Sequence, residues 1–167
     1  VLERADADPA APRLIGYGES SDAYHMSTPH PSARGAHAAL DAALARAGIA
    51  AERVDYVNLH GTATPKNDAV EAKLLPRFPA ATRASSTKGF TGHTLGAAGA
   101  LEAVLSLLAL RQQLVPANFG CTQPMPEALP WLATRPASRR IDVALSNAFG
   151  FGGNNVCLLF ARGGATQ

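Results

Sequence analysis

The sequence predicts an α/β domain in which helices are layered on a mixed sheet, and three observations carry that prediction. Short apolar runs alternate with helical periodicities in the order β, α, β, α, β, α, β, β. The last two runs, Ile141 to Ser146 and Asn155 to Phe160, are joined through Phe149-Gly150-Phe151-Gly152-Gly153, which suits neighbouring antiparallel strands. At 167 residues, 47% of them apolar, the chain is long enough for one domain with a real core.

Taken in order, residues 1–12 are polar and proline-bearing and read as a connection; 13–162 form the domain, and 163–167 a tail. Arg13 to Tyr17 is a strand, closed by Gly18 and polar residues. Met26 to Gly35 holds Pro29 and Pro31 and reads as loop. Ala36, Leu40, Ala43, Leu44 and Ala47 recur at helical spacing, and Gly48 supplies the stop. Val54 to Leu59 is a strand running into His60-Gly61. Thr64-Pro65 or Asn67 opens the next helix, with Val70, Leu74 and Phe78 inward and Pro76 ending it. Arg83 to Ser86 is a short strand. Leu95 to Gln112 is a helix with Ala and Leu on nearly every side, hence one expected to be buried.

A net charge of +2 gives no electrostatic case for nucleic acid or for a membrane surface. The apolar run Leu101 to Leu110 is short and interrupted by Glu102 and Ser106, so no membrane span is expected. Cys121 and Cys157 lack CxxC spacing, which favours a reduced pair and a cytoplasmic location. No HxxxH, HxxH or CxxC spacing offers a metal site. The chain opens without methionine or a signal sequence and reads as a fragment.

Chemistry concentrates in three segments, each at or just after a predicted strand: His60-Gly61-Thr62-Ala63-Thr64-Pro65, Lys88-Gly89-Phe90-Thr91-Gly92-His93, and Asn147 to Asn154. Strand ends are where ligands bind in layered α/β folds. Two histidines flanked by glycine can converge on one carbonyl oxygen and donate N–H bonds to charge developing there. Either could instead serve as acid or base. The bland alternative is two core histidines satisfied by backbone. For Thr62 and Thr64 it is turn and capping chemistry. Asp68 and Glu71 read as first-turn acids favouring the helix dipole, and His30 and His37 as exposed and idle. His25 lies either at a site mouth or on plain surface.

Together HGTxT, KxxxGHxxGAAG and NxFGFGGxN resemble the β-ketoacyl-acyl-carrier-protein synthases of the elongating type, over nearly the whole chain from Ser20-Ser21-Asp22 to Phe160. The resemblance implies the C-terminal half of a thiolase-like fold, in which two similar halves each supply part of the active site. It implies that His60 and His93 are the catalytic pair, that Lys88 supports the second histidine, and that Glu102 stands behind the lysine. It implies that Thr62 and Thr64 bind the phosphopantetheine arm, which arrives on an acyl carrier protein, with no tightly bound cofactor. Phe149 and Phe151 match aromatics beside the nucleophile, Phe151 the one gating the acyl pocket. Asn58, Ser146 and Asn147 match positions where some members hold a structural monovalent cation.

The family's nucleophilic cysteine is at a helix start in the other half. Cys121 is in a Pro-rich loop and Cys157 inside an apolar strand, so neither fits, and the fragment alone is expected to be inactive. Val1-Leu2-Glu3 resembles the end of the N-terminal half. The resemblance implies a homodimer or heterodimer when both halves are present. Ala63, where many members carry serine, leans toward a polyketide or aryl-polyene-like branch over housekeeping fatty-acid synthesis. A chain-length-factor-like partner without the active cysteine is the alternative, although such a subunit has no need of both histidines and Lys88. A thiolase is disfavoured because the loop 147–154 contains no cysteine.

Overall fold

Two glycines in the first strand set how closely the first helix can lie. A Cβ on Gly16 would stand 2.4 Å from the carbonyl oxygen of Ala43, and one on Gly18 would stand 1.9 Å from that of Ala39. The helix backbone therefore rests directly on the strand, a contact only glycine permits. Gly18 is thus a packing residue inside the strand and not the stop read from the sequence. The strand continues to Ser21.

The structure, a computed structural model, describes residues 3–4 and 8–164; Val1 and Leu2, on which the reading of the chain's opening rests, are outside them, as are residues 165–167 of the tail. The elements run β1 (Arg13–Ser21), α1 (Arg34–Ala47), β2 (Tyr56–Asn58), α2 (Pro65–Ala72), β3 (Arg83–Ser85), α3 (Lys88–Thr91), α4 (Ala98–Gln112), β4 (Leu114–Val115), β5 (Ala137–Ser138), β6 (Val143–Gly150) and β7 (Asn154–Ala161). Five strands form one sheet in the order β1-β7-β6-β2-β3, and β4 pairs with β5 separately. The β2 pairings with β3 and β6 are parallel, whereas β7 pairs antiparallel with β1 and β6. The mixed sheet is as expected.

Side-chain alternation divides the strands between two cores. Val57, Leu145 and Leu159 face α1 and α2, packing with Leu40, Ala43, Val70 and Leu74. Tyr56, Ala144 and Phe160 face α4, packing with Ala109 and Leu110. Gly48 caps α1 in the left-handed region, at φ 65°, donating its N–H to the carbonyls of the last turn. Pro65 occupies the first turn of α2, and Val70, Leu74 and Phe78 are all buried. The helix itself stops at Ala72, so Leu74 and Phe78 pack from the turns that follow, with Pro76 in a 3₁₀ turn.

The final helix departs from expectation. Leu95–Ala97 is a 3₁₀ turn, and α4 buries one stripe only: Ala98, Glu102, Ser106, Ala109 and Leu110. Val104 is 51% exposed and Leu108 38% exposed on the outer side. An all-round apolar helix suggests burial on every side, but the sheet covers a single face. The 18 residues Leu95–Gln112 also reach the length and apolarity of a membrane span, which the shorter run considered from sequence did not. Here the segment packs on β6 and carries a buried glutamate. The connection between β6 and β7 shortens to Phe151–Gly153, because both strands extend into the Gly/Phe motif.

Introducing a methyl group at Gly18 should force α1 off β1. We expect Gly18→Ala to destabilise the fold by about 1–3 kcal/mol, the usual range for overpacking, read as a lower denaturation midpoint. An unchanged midpoint would show that the helix can slide away freely.

Candidate active site

β2 ends at Asn58, and Leu59 makes one last backbone bond to the carbonyl of Ser85. The chain then leaves the sheet, which presents His60 at the edge where β2 and β3 end and β6 runs on to Gly150. Its ring is buried beside Phe149, with centroids 5.9 Å apart. His93 follows α3 after Gly92, whose φ of 69° turns the chain sharply. The two imidazoles meet edge-on, with centroids 5.4 Å apart and planes at 86°. The two glycine-flanked histidines therefore face one another, as the sequence suggested.

Lys88 opens α3 and reaches back beneath β2. Its ammonium donates to the carbonyl oxygen of His60 and to Glu102 Oε1, and lies 3.3 Å from His60 Nδ1. This corrects the expectation that it supports the second histidine. The turn from β3 into α3 aims Lys88 at His60, while His93 lies beyond the far end of α3. Glu102 comes from the buried stripe of α4, so the ion pair is almost wholly shielded, with side-chain exposures of 7% and 2%. Burial pushes the Glu102 carboxyl above the usual range although Lys88 pulls it down.

These contacts fix both tautomers. An ammonium can only donate, so His60 Nδ1 accepts and its proton sits on Nε2. His93 Nδ1 accepts the backbone N–H of Leu95 at 3.1 Å, which likewise leaves the proton of the neutral ring on Nε2. Burial, then the Lys88 charge, then His93 push the His60 pKa down to about 3. The sign follows. A group depressed below its ordinary value of 6.5 stays neutral in the folded chain, so stability is lost as pH falls below 6.5 toward 3. We expect the ¹⁵N resonances of His60 to show a neutral Nε2–H ring with no titration between pH 5 and 8; a midpoint near 6.5 would overturn this.

The remaining predicted residues fall around this pair. Thr62 and Thr64 are joined by a 2.8 Å hydroxyl–hydroxyl bond. Phe149 packs partly on the core, whereas Phe151 is 80% exposed on its turn. Thr62, Lys88 and His93 line an open cleft of about 530 Å³ whose other wall holds Phe119, Cys121 and Met125. Cys121 thus shares a cleft with His93. The loop folds back because Asn118 Oδ1 accepts the N–H of Ser86 and Gly89 lets Phe119 approach. Both cysteines are free, Cys121 exposed and Cys157 buried.

The strands divide the side chains of Asn58, Ser146 and Asn147 between the two faces of the sheet. Asn58 pairs with Ser146 on the α4 face of the sheet, and Asn147, the next residue, points to the opposite face. There its Oδ1 accepts the Cys157 thiol at 3.3 Å. Asn58 keeps both carboxamide atoms buried without a hydrogen-bond partner among the described residues. His30 and His37 are half-buried and not freely exposed, and the ring of His30 stacks edge-on with Tyr24. His25 is exposed.

Glu71 is not the first-turn acid that the sequence suggests. It is buried and accepts three hydrogen bonds, from His60 N–H, Gly61 N–H and Asn67 Nδ2. The available signal was its place beside Asn67, Val70 and Leu74 on one helical stripe, where an acid has to find donors.

Residues 12–122 match the family described as beta-ketoacyl synthase, C-terminal domain. The chain belongs to that family. Among relatives of the family, the 3-oxoacyl-[acyl-carrier-protein] synthase 2 of Coxiella burnetii is 44% identical over 154 residues, covering 89% of this chain and 37% of the relative. The chain therefore spans little more than a third of that protein's length. Among solved structures, a chain from the complex of a ketosynthase with its chain length factor from Xenorhabdus doucetiae is 46% identical with a TM-score of 0.85, covering 93% of this chain and 40% of that one. A chain from a complex of a type II PKS acyl-carrier protein with its ketosynthase bound to the hexaketide is 29% identical with a TM-score of 0.82, covering 89% of this chain and 38% of that one. The neighbours carry the thiolase-like fold expected for a C-terminal ketosynthase half.

Proposed function

We propose that the chain is the C-terminal half of a β-ketoacyl-acyl-carrier-protein synthase, an acyltransferase catalysing decarboxylating Claisen condensation. The observation that carries this is the facing imidazole pair, each ring accepting at Nδ1 and so presenting Nε2–H. Two such donors suit one thioester carbonyl oxygen. As the bond from the malonyl methylene to its carboxylate breaks, carbon dioxide leaves and the electron pair becomes an enolate. The negative charge collects on that oxygen, where both N–H groups strengthen their bonds. The enolate carbon then attacks the acyl thioester held on a cysteine of the N-terminal half and displaces its thiolate.

In this reading Thr62, which lines the cleft, and Thr64, hydrogen-bonded to it, bind the phosphopantetheine arm carried by an acyl carrier protein, and Phe149 and Phe151 flank the reacting thioester. The acyl-carrier-protein and chain-length-factor complexes among the relatives support a carrier partner and a dimeric assembly. A non-catalytic chain-length-factor-like role is the weaker reading, because Lys88, Glu102 and both histidines form one complete network. The test is malonyl-carrier decarboxylation by a synthase assembled from this chain and a nucleophile-bearing N-terminal half. Release of carbon dioxide supports the proposal, and none above background sinks it.

A further inference from the structure

Beside the cleft, hydroxyl groups and one ammonium form a line that leads from its wall to the surface. Thr62 lines the cleft and shares a 2.8 Å hydroxyl–hydroxyl bond with Thr64. Thr64 directly precedes α2, and Lys66 stands exposed in the first turn of that helix. The Lys66 ammonium donates to Thr28 Oγ1 at 3.3 Å, which joins α2 to the loop between β1 and α1. Donors remain along the whole line. One hydroxyl proton of the Thr62–Thr64 pair is left over, Thr28 keeps its own, and an ammonium carries three.

The charge on Lys66 is also left uncompensated. Its bond goes to a neutral hydroxyl, whereas Arg77 pairs with Asp41 and Arg162 with Asp142. Two further cations hold the same loop, each through a backbone carbonyl. Lys73 donates to that of Pro31, and Arg34 to that of Asp22 at 2.6 Å. The acids nearby are occupied. Asp22 is buried and accepts from the His30 N–H and from Asn155 Nδ2, and Asp68 accepts from Asn67 Nδ2.

The geometry points to Lys66 Nζ and Thr28 Oγ1 as the seat of the phosphodiester at the far end of the phosphopantetheine arm. The inference deepens the proposed function and rests on it. The arm's chemistry runs in the same order as the line, with a thioester at one end, amides along its length and a phosphodiester at the other. With the thioester at the histidines, the Thr62 and Thr64 hydroxyls meet the amide stretch and the anionic end reaches the ammonium. A compact ammonium serves a phosphate as a point charge, and the Thr28 hydroxyl adds a directed donor. An acidic protein face would need the charge alone and not the hydroxyls that lead to it.

The test follows malonyl-carrier decarboxylation by the assembled synthase, inhibited by free phosphopantetheine or by pantetheine, which lacks the phosphate. The parent should bind phosphopantetheine about 3- to 10-fold more tightly than pantetheine, the scale of an exposed charge contact. Lys66→Gln should erase that preference by weakening phosphopantetheine alone. It should also raise KM for the malonyl carrier by a similar factor with kcat unchanged, and Lys66→Arg should keep most of the preference. Raising the salt to about 1 M should shrink the preference in the parent. A parent without the preference, or a Lys66→Gln variant that retains it, overturns the inference. Equal weakening of both inhibitors does so as well, because it marks damage to the cleft. A higher KM for the malonyl carrier with phosphopantetheine inhibition unchanged also overturns it, since Lys66 would then meet the carrier's own surface. If the parent releases no carbon dioxide, the proposed function has failed and the seat falls with it; if the parent is active and the preference test fails, only the seat has.

Discussion

Replacing either His60 or His93 with alanine is expected to lower malonyl decarboxylation by the assembled synthase about 10²- to 10³-fold, the usual loss when one oxyanion donor is removed. The two rings are suited to the role proposed for them by different routes. His60 is buried with Nδ1 facing an ammonium, so it is a fixed neutral donor. His93 is exposed and fixed by a single bond from the N–H of Leu95. The His93 variant should therefore leave stability within about 0.5 kcal/mol of the parent, as for an ordinary surface change. The His60 variant should also lose some stability, because its ring packs near Phe149. Removing both should cost far less than the product of the single losses, since the donors act on one oxygen as a unit. Carbon dioxide release at the parent rate from either variant would sink the assigned role of that histidine.

Much of the fold could be read from the residues because each local signal agreed with the final packing. The spacing of Ala36, Leu40 and Ala43 and the stop at Gly48 gave α1, and both histidine motifs fall just past strand ends. What escaped depended on distant parts of the chain. Gly18 looked like a turn because the helix backbone lying against it, around Ala39, is 21 residues away. Nothing local tells whether Lys88 will swing toward His93, five residues on, or toward His60. Only the parallel pairing of β2 with β3 sets the answer. Along β6 strict alternation already places the side chains of Ser146 and Asn147 on opposite faces. The outer face of α4 was unreadable for another reason: the sequence shows that it is apolar, not how much of it the sheet will cover.

Removing Lys88 should separate stability from chemistry. In Lys88→Met the Glu102 carboxylate loses its partner while staying almost wholly buried, with a side-chain exposure of 2%. Breaking such a pair from one side costs about 3–5 kcal/mol, because the remaining charge is left uncompensated. Burial already raises the Glu102 pKa, and deleting the cation removes the influence that opposes it. A carboxyl raised in the folded state contributes stability below its unfolded pKa and loses it as pH rises through the folded one. The deficit should therefore be larger at pH 8 than at pH 5, seen as a thermal midpoint that recovers on acidification. A deficit independent of pH would show that Glu102 is not its source. Adding Glu102→Gln should restore most of the stability, since a neutral amide needs no cation. It should not restore decarboxylation, because His60 Nδ1 still lacks the donor that holds the proton on Nε2. Recovery of both would mean that Lys88 serves only to neutralise Glu102, and that the tautomer of His60 is held by something other than the ammonium beside it.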